Sequence, residues 1–162
     1  MSYKRILVAL DRPPTTPEVF EQALDLAKKE GASLMVFHCI RAANVTGIIS
    51  STTDPLLGTG LSSFGGVDLQ QLQLQSEIAH TASEQNYEWL QTYRQKAIAQ
   101  GVPTEIDCQV GSRSSSICDL ARDWGADLIV VGRGHLNGWE ELVEGSISTD
   151  VIHHAPCSVL VV

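Results

Sequence analysis

Short, purely apolar runs alternating with longer amphipathic ones constrain this chain more than any other feature. Ile6-Leu7-Val8-Ala9-Leu10 has no polar residue to turn toward water, as expected for a parallel strand covered on both faces. Further strands are expected at about 33–40, 104–110, 127–131 and 158–162. The run over 104–110 alternates polar with apolar residues and so belongs near a sheet edge. Each gap holds a helical pattern. Thr16 can cap the first helix, with Pro17 and Glu18 in its opening turn, a stripe of Val19, Phe20, Ala23, Leu24 and Ala27, and Gly31 as its stop. A long helix is expected over 67–100, with Leu72, Ile78, Ala82, Trp89, Leu90, Tyr93 and Ala97 inward and Gly101 and Pro103 ending it. Ser116 can cap a short helix carrying Ile117, Leu120, Ala121 and Trp124, and another helical stretch covers 139–153, broken near Gly145. Strands separated by helices require right-handed crossovers. The expected fold is a single α/β domain over 1–162, a doubly wound five-stranded parallel sheet with helices on both faces.

Two stretches stand apart from that pattern. Residues 44–66 are rich in Gly, Ser and Thr, contain Pro55 and lack periodicity, so they read as a flexible loop insertion or a lid. The other lies at the presumed site. Ligands of doubly wound sheets bind at the carboxyl ends of strands where the strand order reverses, which directs attention to the turns after the first and fourth strands.

Val131-Gly132-Arg133-Gly134-His135-Leu136-Asn137-Gly138 leaves the fourth strand, and Gly145-Ser146-Ile147-Ser148 opens the helix that follows. Glycines let main-chain N–H groups turn inward. Amides and hydroxyls at a helix amino end can surround phosphate oxygens. Taken alone, such glycines also make plain turns. Asp11 closes the first strand, where a carboxylate either accepts ribose hydroxyls or caps the next turn. Arg113 either reaches a phosphate or solvates the turn at Gly111, while His38 reads as a hydrogen-bonded structural histidine.

Charge narrows the partners. Nineteen acidic residues against eleven Lys and Arg give a net charge of −8, with no basic cluster, so neither nucleic acid nor an anionic membrane surface is expected. A small anion held by backbone amides remains compatible. Cys39, Cys108, Cys118 and Cys157 are too scattered for a zinc site or disulfide framework and read as reduced thiols. No apolar run reaches membrane-spanning length, and the first residues lead directly into a strand rather than a signal peptide. A cytoplasmic location is expected.

Across these positions the chain resembles the universal stress protein family. The family signature, Gly-x-x-Gly, nine residues, then Gly-Ser or Gly-Thr, meets Gly132, Gly145, Ser146 and Ser148. The ending His154-Ala155-Pro156-Cys157-Ser158-Val159-Leu160-Val161-Val162 is similar to the family's last helix and strand. Ile6 to Asp11, Val36-Phe37-His38-Cys39 and Val110-Gly111-Ser112 match as well. The second signature glycine is replaced by His135, with Gly134 one place early. The resemblance implies binding of ATP or ADP, with Mg²⁺ or Mn²⁺ where Glu144 would otherwise repel phosphate. It implies contacts from Ala9, Leu10, Asp11, Cys39, Val131, Gly132, His135, Gly145, Ser146, Ile147 and Ser148. Of these, Ala9 and Cys39 would meet adenine, Asp11 the ribose, and the glycine and serine amides the phosphates.

The implied role is nucleotide-dependent stress signalling without an assigned catalytic residue. A slow ATP hydrolase and a nucleotide-free homodimeric interaction module are the alternatives. Neither a P-loop nor a Gly-x-Ser-x-Gly elbow occurs. The apolar last strand, at the end of the sheet, is expected to pair with its copy in a homodimer.

Overall fold

The computed structural model describes residues 2–11, 16–41, 69–133 and 147–162. Its elements in chain order are β1 (Arg5–Ala9), α1 (Thr16–Glu30), β2 (Ser33–Arg41), α2 (Leu69–Ala99), β3 (Thr104–Gly111), α3 (Arg113–Trp124), β4 (Leu128–Val131), α4 (Ile147–His154) and β5 (Ser158–Val161). The five strands form one parallel sheet in the order β3-β2-β1-β4-β5. The expected doubly wound sheet is the observed one. β3 is an edge strand, as its alternation implied.

Because successive strand residues point to opposite faces, each apolar strand serves two cores. Ile6, Val8, Leu34, Val36, Leu128 and Val130 meet Val19, Phe20, Ala23 and Leu24 of α1 and Leu90 and Ala97 of α2. Leu7, Met35, Phe37, Ile129 and Val131 meet Ile117, Cys118 and Ala121 of α3 and Val151 of α4 on the other side. Phe20, Tyr93 and Trp89 extend the first core through edge-to-face ring contacts at 4.7 and 5.4 Å. Of the inward positions expected on α2, Leu90 and Ala97 are buried and Trp89 and Tyr93 half-buried. The side chains of Leu72, Ile78 and Ala82 lie outside the described set.

Two boundaries differ from expectation. Ser116 does not cap α3: the helix starts at Arg113 after Ser112, whose side chain makes no capping bond. Ser116 lies within the first turn, and its own N–H donates to the carbonyl of Ser112 at 3.0 Å. Asp127 precedes β4 rather than starting it. Its carboxylate accepts from the amides of Lys4 and Arg5 at 2.7 and 3.1 Å, pinning the lower end of β1. Residues 44–66 fall outside the described residues, as do His135, Gly145 and Ser146.

Candidate functional site

Chain order and spatial order diverge between β1 and β4: from β1 the sheet runs outward through β2 and β3 on one side and through β4 and β5 on the other. This is the switch point at which such sheets leave a crevice above their strand ends. Ala9 closes β1 in register with both Phe37 of β2 and Val131 of β4. The amide of Leu10 still donates to the carbonyl of Phe37 at 2.8 Å, so the backbone stays tied to the sheet until Asp11 leaves it.

A buried histidine fixes that departure. His38 is 5% exposed, and its Nδ1 lies 2.8 Å from the carbonyl oxygen of Leu10. A carbonyl only accepts, so Nδ1 carries the hydrogen. The ring packs edge-on against Trp89 at 5.3 Å. The structural reading of His38 holds.

Asp11 pairs with Arg113: Nη1 donates to Oδ2 at 2.5 Å across 102 positions of sequence. The Arg113 side chain is 20% exposed and that of Asp11 53%. Arg113 thus does more than solvate the Gly111 turn, since it reaches from the start of α3 to the end of β1. Cys39, on β2, is buried beside this pair. Burial pushes its thiol up, outweighing the Ser116 hydrogen bond, the Arg113 charge and a Gly111 backbone contact, which all pull it down. Cys39 is therefore a neutral thiol at neutral pH. It offers an apolar, polarizable wall rather than a nucleophile.

On the other flank, Gly132 follows β4. A Cβ built there would lie 2.9 Å from Cγ2 of Val19. Its φ is not among the positive values, which belong to Gly31, Gly101 and Gly125 within the described residues. Close approach of α1, and not an unusual backbone angle, is what requires glycine here. The amide of Arg133 donates to the carbonyl of Val162 at 2.8 Å, so the residue that follows β5 holds Arg133. Ile147 and Ser148, both half-buried, open α4.

The structure therefore brings Ala9, Leu10, Asp11 and Cys39 to one flank and Val131 and Gly132 to the other, with Ile147 and Ser148 at the adjacent helix start. Sequence reasoning missed the Asp11–Arg113 pair and the position of Ser116 beside Cys39. Strand-end logic extended to the turn after β3 would have nominated both. No group of three or more His, Cys, Asp or Glu residues suited to a metal ion occurs among the described residues. No described helix is long and apolar enough to cross a membrane.

The family model described as the universal stress protein family matches residues 2–162. The chain belongs to that family. A universal stress protein of Synechocystis sp. is 40% identical over 162 residues, covering 100% of this chain and 99% of the relative. Among solved structures, the universal stress protein UspA from Lactobacillus plantarum superposes with a TM-score of 0.73 at 21% identity, covering 100% of this chain and 99% of the other. A universal stress protein solved in complex with cAMP superposes with a TM-score of 0.63 at 20% identity, covering 100% and 98%. At these identities the superpositions establish the shared fold. The universal stress protein sheet and its switch point are thus shared with these structures.

Proposed function

We propose that this universal stress protein binds an adenine nucleotide, ATP or ADP, in the crevice between β1 and β4, and acts as a nucleotide-dependent signalling module. The observation that carries the reading is the placement of Asp11 and Gly132 on opposite flanks of the switch point. A structural relative's complex with cAMP supports it. Ala9, Leu10, Asp11 and Cys39 would form the nucleoside end, with Asp11 accepting ribose hydroxyls and Cys39 lying against adenine. Val131, Gly132, His135, Gly145, Ser146, Ile147 and Ser148 would form the phosphate end. Mg²⁺ or Mn²⁺ would accompany the phosphates beside Glu144, which lies outside the described residues.

The same proposal includes a homodimer joined along β5, the outer strand beyond β4. Val162 donates to Val131 and accepts from Arg133. The backbone groups of Val161 therefore face away from β4, ready to pair with a second copy.

The direct test is mass spectrometry of small molecules released by denaturing freshly purified protein, followed by calorimetric titration with ATP, ADP and AMP. Saturation at a hundredfold excess over Kd would raise stability by about 2.7 kcal/mol. No released adenylate, no heat and no melting shift together would sink the nucleotide reading.

A further inference from the structure

Arg113 is an expensive way to make an ion pair. The chain has eleven Lys and Arg in total and a net charge of −8. One of those cations lies mostly covered at the strand ends, with its Nε buried and, among the described residues, without a hydrogen-bond acceptor. Pairing with a half-exposed carboxylate contributes little to stability, and a buried donor left without an acceptor is costly and calls for an explanation. Arg113 begins its helix, and its guanidinium reaches across to Asp11 at the end of β1.

Position suggests what the explanation is. β1 lies between β2 and β4. The phosphate end of the proposed nucleotide site lies toward β4 and α4, whereas Arg113 arrives from the opposite side, from the helix that follows β3. In the proposed site, a ribose whose hydroxyls met Asp11 would direct its 5′ carbon toward the phosphate end at β4, and its 2′ and 3′ oxygens toward Asp11 and the guanidinium. A carboxylate at the ribose edge selects free hydroxyls, whereas an arginine there accommodates a phosphate ester. This crevice holds both groups in contact.

Resting on the nucleotide reading above, we propose that Arg113 is a specificity residue for adenine nucleotides that carry an additional phosphate on the ribose 2′ or 3′ oxygen. Nη1 stays on Asp11 and neutralises it, while the side chain turns so that the fork formed by Nε and Nη2 receives two phosphate oxygens. The unsatisfied Nε thereby gains its acceptor. Asp11, shielded by the same guanidinium, no longer repels the ester. The step is non-covalent.

The test is calorimetric titration of the full chain with AMP, adenosine 2′,5′-bisphosphate and adenosine 3′,5′-bisphosphate, in the wild type, Arg113→Gln and Arg113→Lys. The expected result is that one bisphosphate binds about tenfold tighter than AMP, as one charge-assisted fork warrants. Arg113→Gln brings the affinity ratio of that bisphosphate over AMP down to about one, and Arg113→Lys keeps part of the ratio because it retains charge but not the planar fork. AMP binding with no bisphosphate preference, or a preference that survives Arg113→Gln, overturns the inference and leaves the nucleotide reading standing. Absence of all adenylate binding overturns both. If Arg113→Gln melts early, the wild-type preference and its partial retention in Arg113→Lys decide the matter.

Discussion

Arg113 Nη1 and Asp11 Oδ2 stand 2.5 Å apart although they lie 102 positions apart in the chain, and this contact closes the β1 flank of the switch-point crevice, where the nucleoside is proposed to bind. Its energetic weight is small: with Asp11 53% exposed, solvent screening limits the pair to about 0–1 kcal/mol. Asp11→Asn should therefore lower the urea midpoint only slightly. The same substitution removes the charged acceptor offered to a ribose and should weaken ADP about tenfold, the scale of one hydrogen bond to a charged group. Parallel urea melts and ADP titrations separate the two effects. A large stability loss with unchanged ADP affinity would make Asp11 a structural residue.

Gly132→Ala tests the other flank. The new methyl would come within 2.9 Å of Val19 Cγ2, and Val19 is only 4% exposed within the first core. Overpacking of this kind costs about 1–3 kcal/mol. Val19→Ala makes room, so the double variant should lose less stability than the two single variants added together. Strict additivity in denaturant unfolding would show that α1 does not press on Gly132.

His38 couples the core to the site. His38→Ala would leave the Leu10 carbonyl without its 2.8 Å donor and remove one of the two ring contacts of Trp89. A buried acceptor so stranded costs about 1–3 kcal/mol. Because Leu10 precedes Asp11, adenylate affinity should fall along with the unfolding midpoint. Unchanged stability in His38→Ala would contradict this account.

Much of this architecture can be read from local sequence, and the physical reason is that local rules specify it. Ile6 to Leu10 must be covered on both faces, 104–110 alternates and lies at an edge, and five strands joined by helices admit few topologies. Gly132 was legible as a strand-end glycine, but its actual constraint, the flank of Val19, depends on how α1 crosses the sheet. Arg113 was visible as a residue near a turn. Its partner was not, because nothing in the local sequence of 111–116 encodes Asp11. Ser116 has the chemistry of a helix cap, yet the helix begins three residues earlier, at Arg113. Cap signals name a residue type, whereas packing of Ile117, Cys118 and Ala121 on the sheet fixes the first turn.

Alkaline pH should expose the buried thiols. Burial is the leading cause that raises Cys39, Cys118 and Cys157 above the ordinary thiol range. Folded, these groups keep their protons to a higher pH than they do unfolded. Their contribution is fully present below the unfolded value and is lost as pH rises through the folded values. Urea midpoints should decline above about pH 9, and less steeply when Cys118 and Cys157 are both changed to Ala. A midpoint that stays level or rises through that range, or an equal slope in the double variant, would show that these thiols do not govern the decline.

Leu160 decides how the sheet ends. It lies on β5, is 37% exposed, and sits between Val159 and Val161, which pack into the second core. Only β4 pairs with β5 among the described residues, so the opposite edge offers main-chain groups with an apolar side chain beside them. An edge of that kind invites pairing with an identical strand, and a two-fold contact would place two Leu160 side chains near each other. Leu160→Arg would bring two like charges together in that contact without disturbing either core. Light scattering should then report a dimer for the wild type and half that mass for the variant at micromolar concentration, with thermal melting confirming that the variant is folded. A wild-type monomer, or a variant that remains dimeric, would remove β5 from consideration as the joining edge.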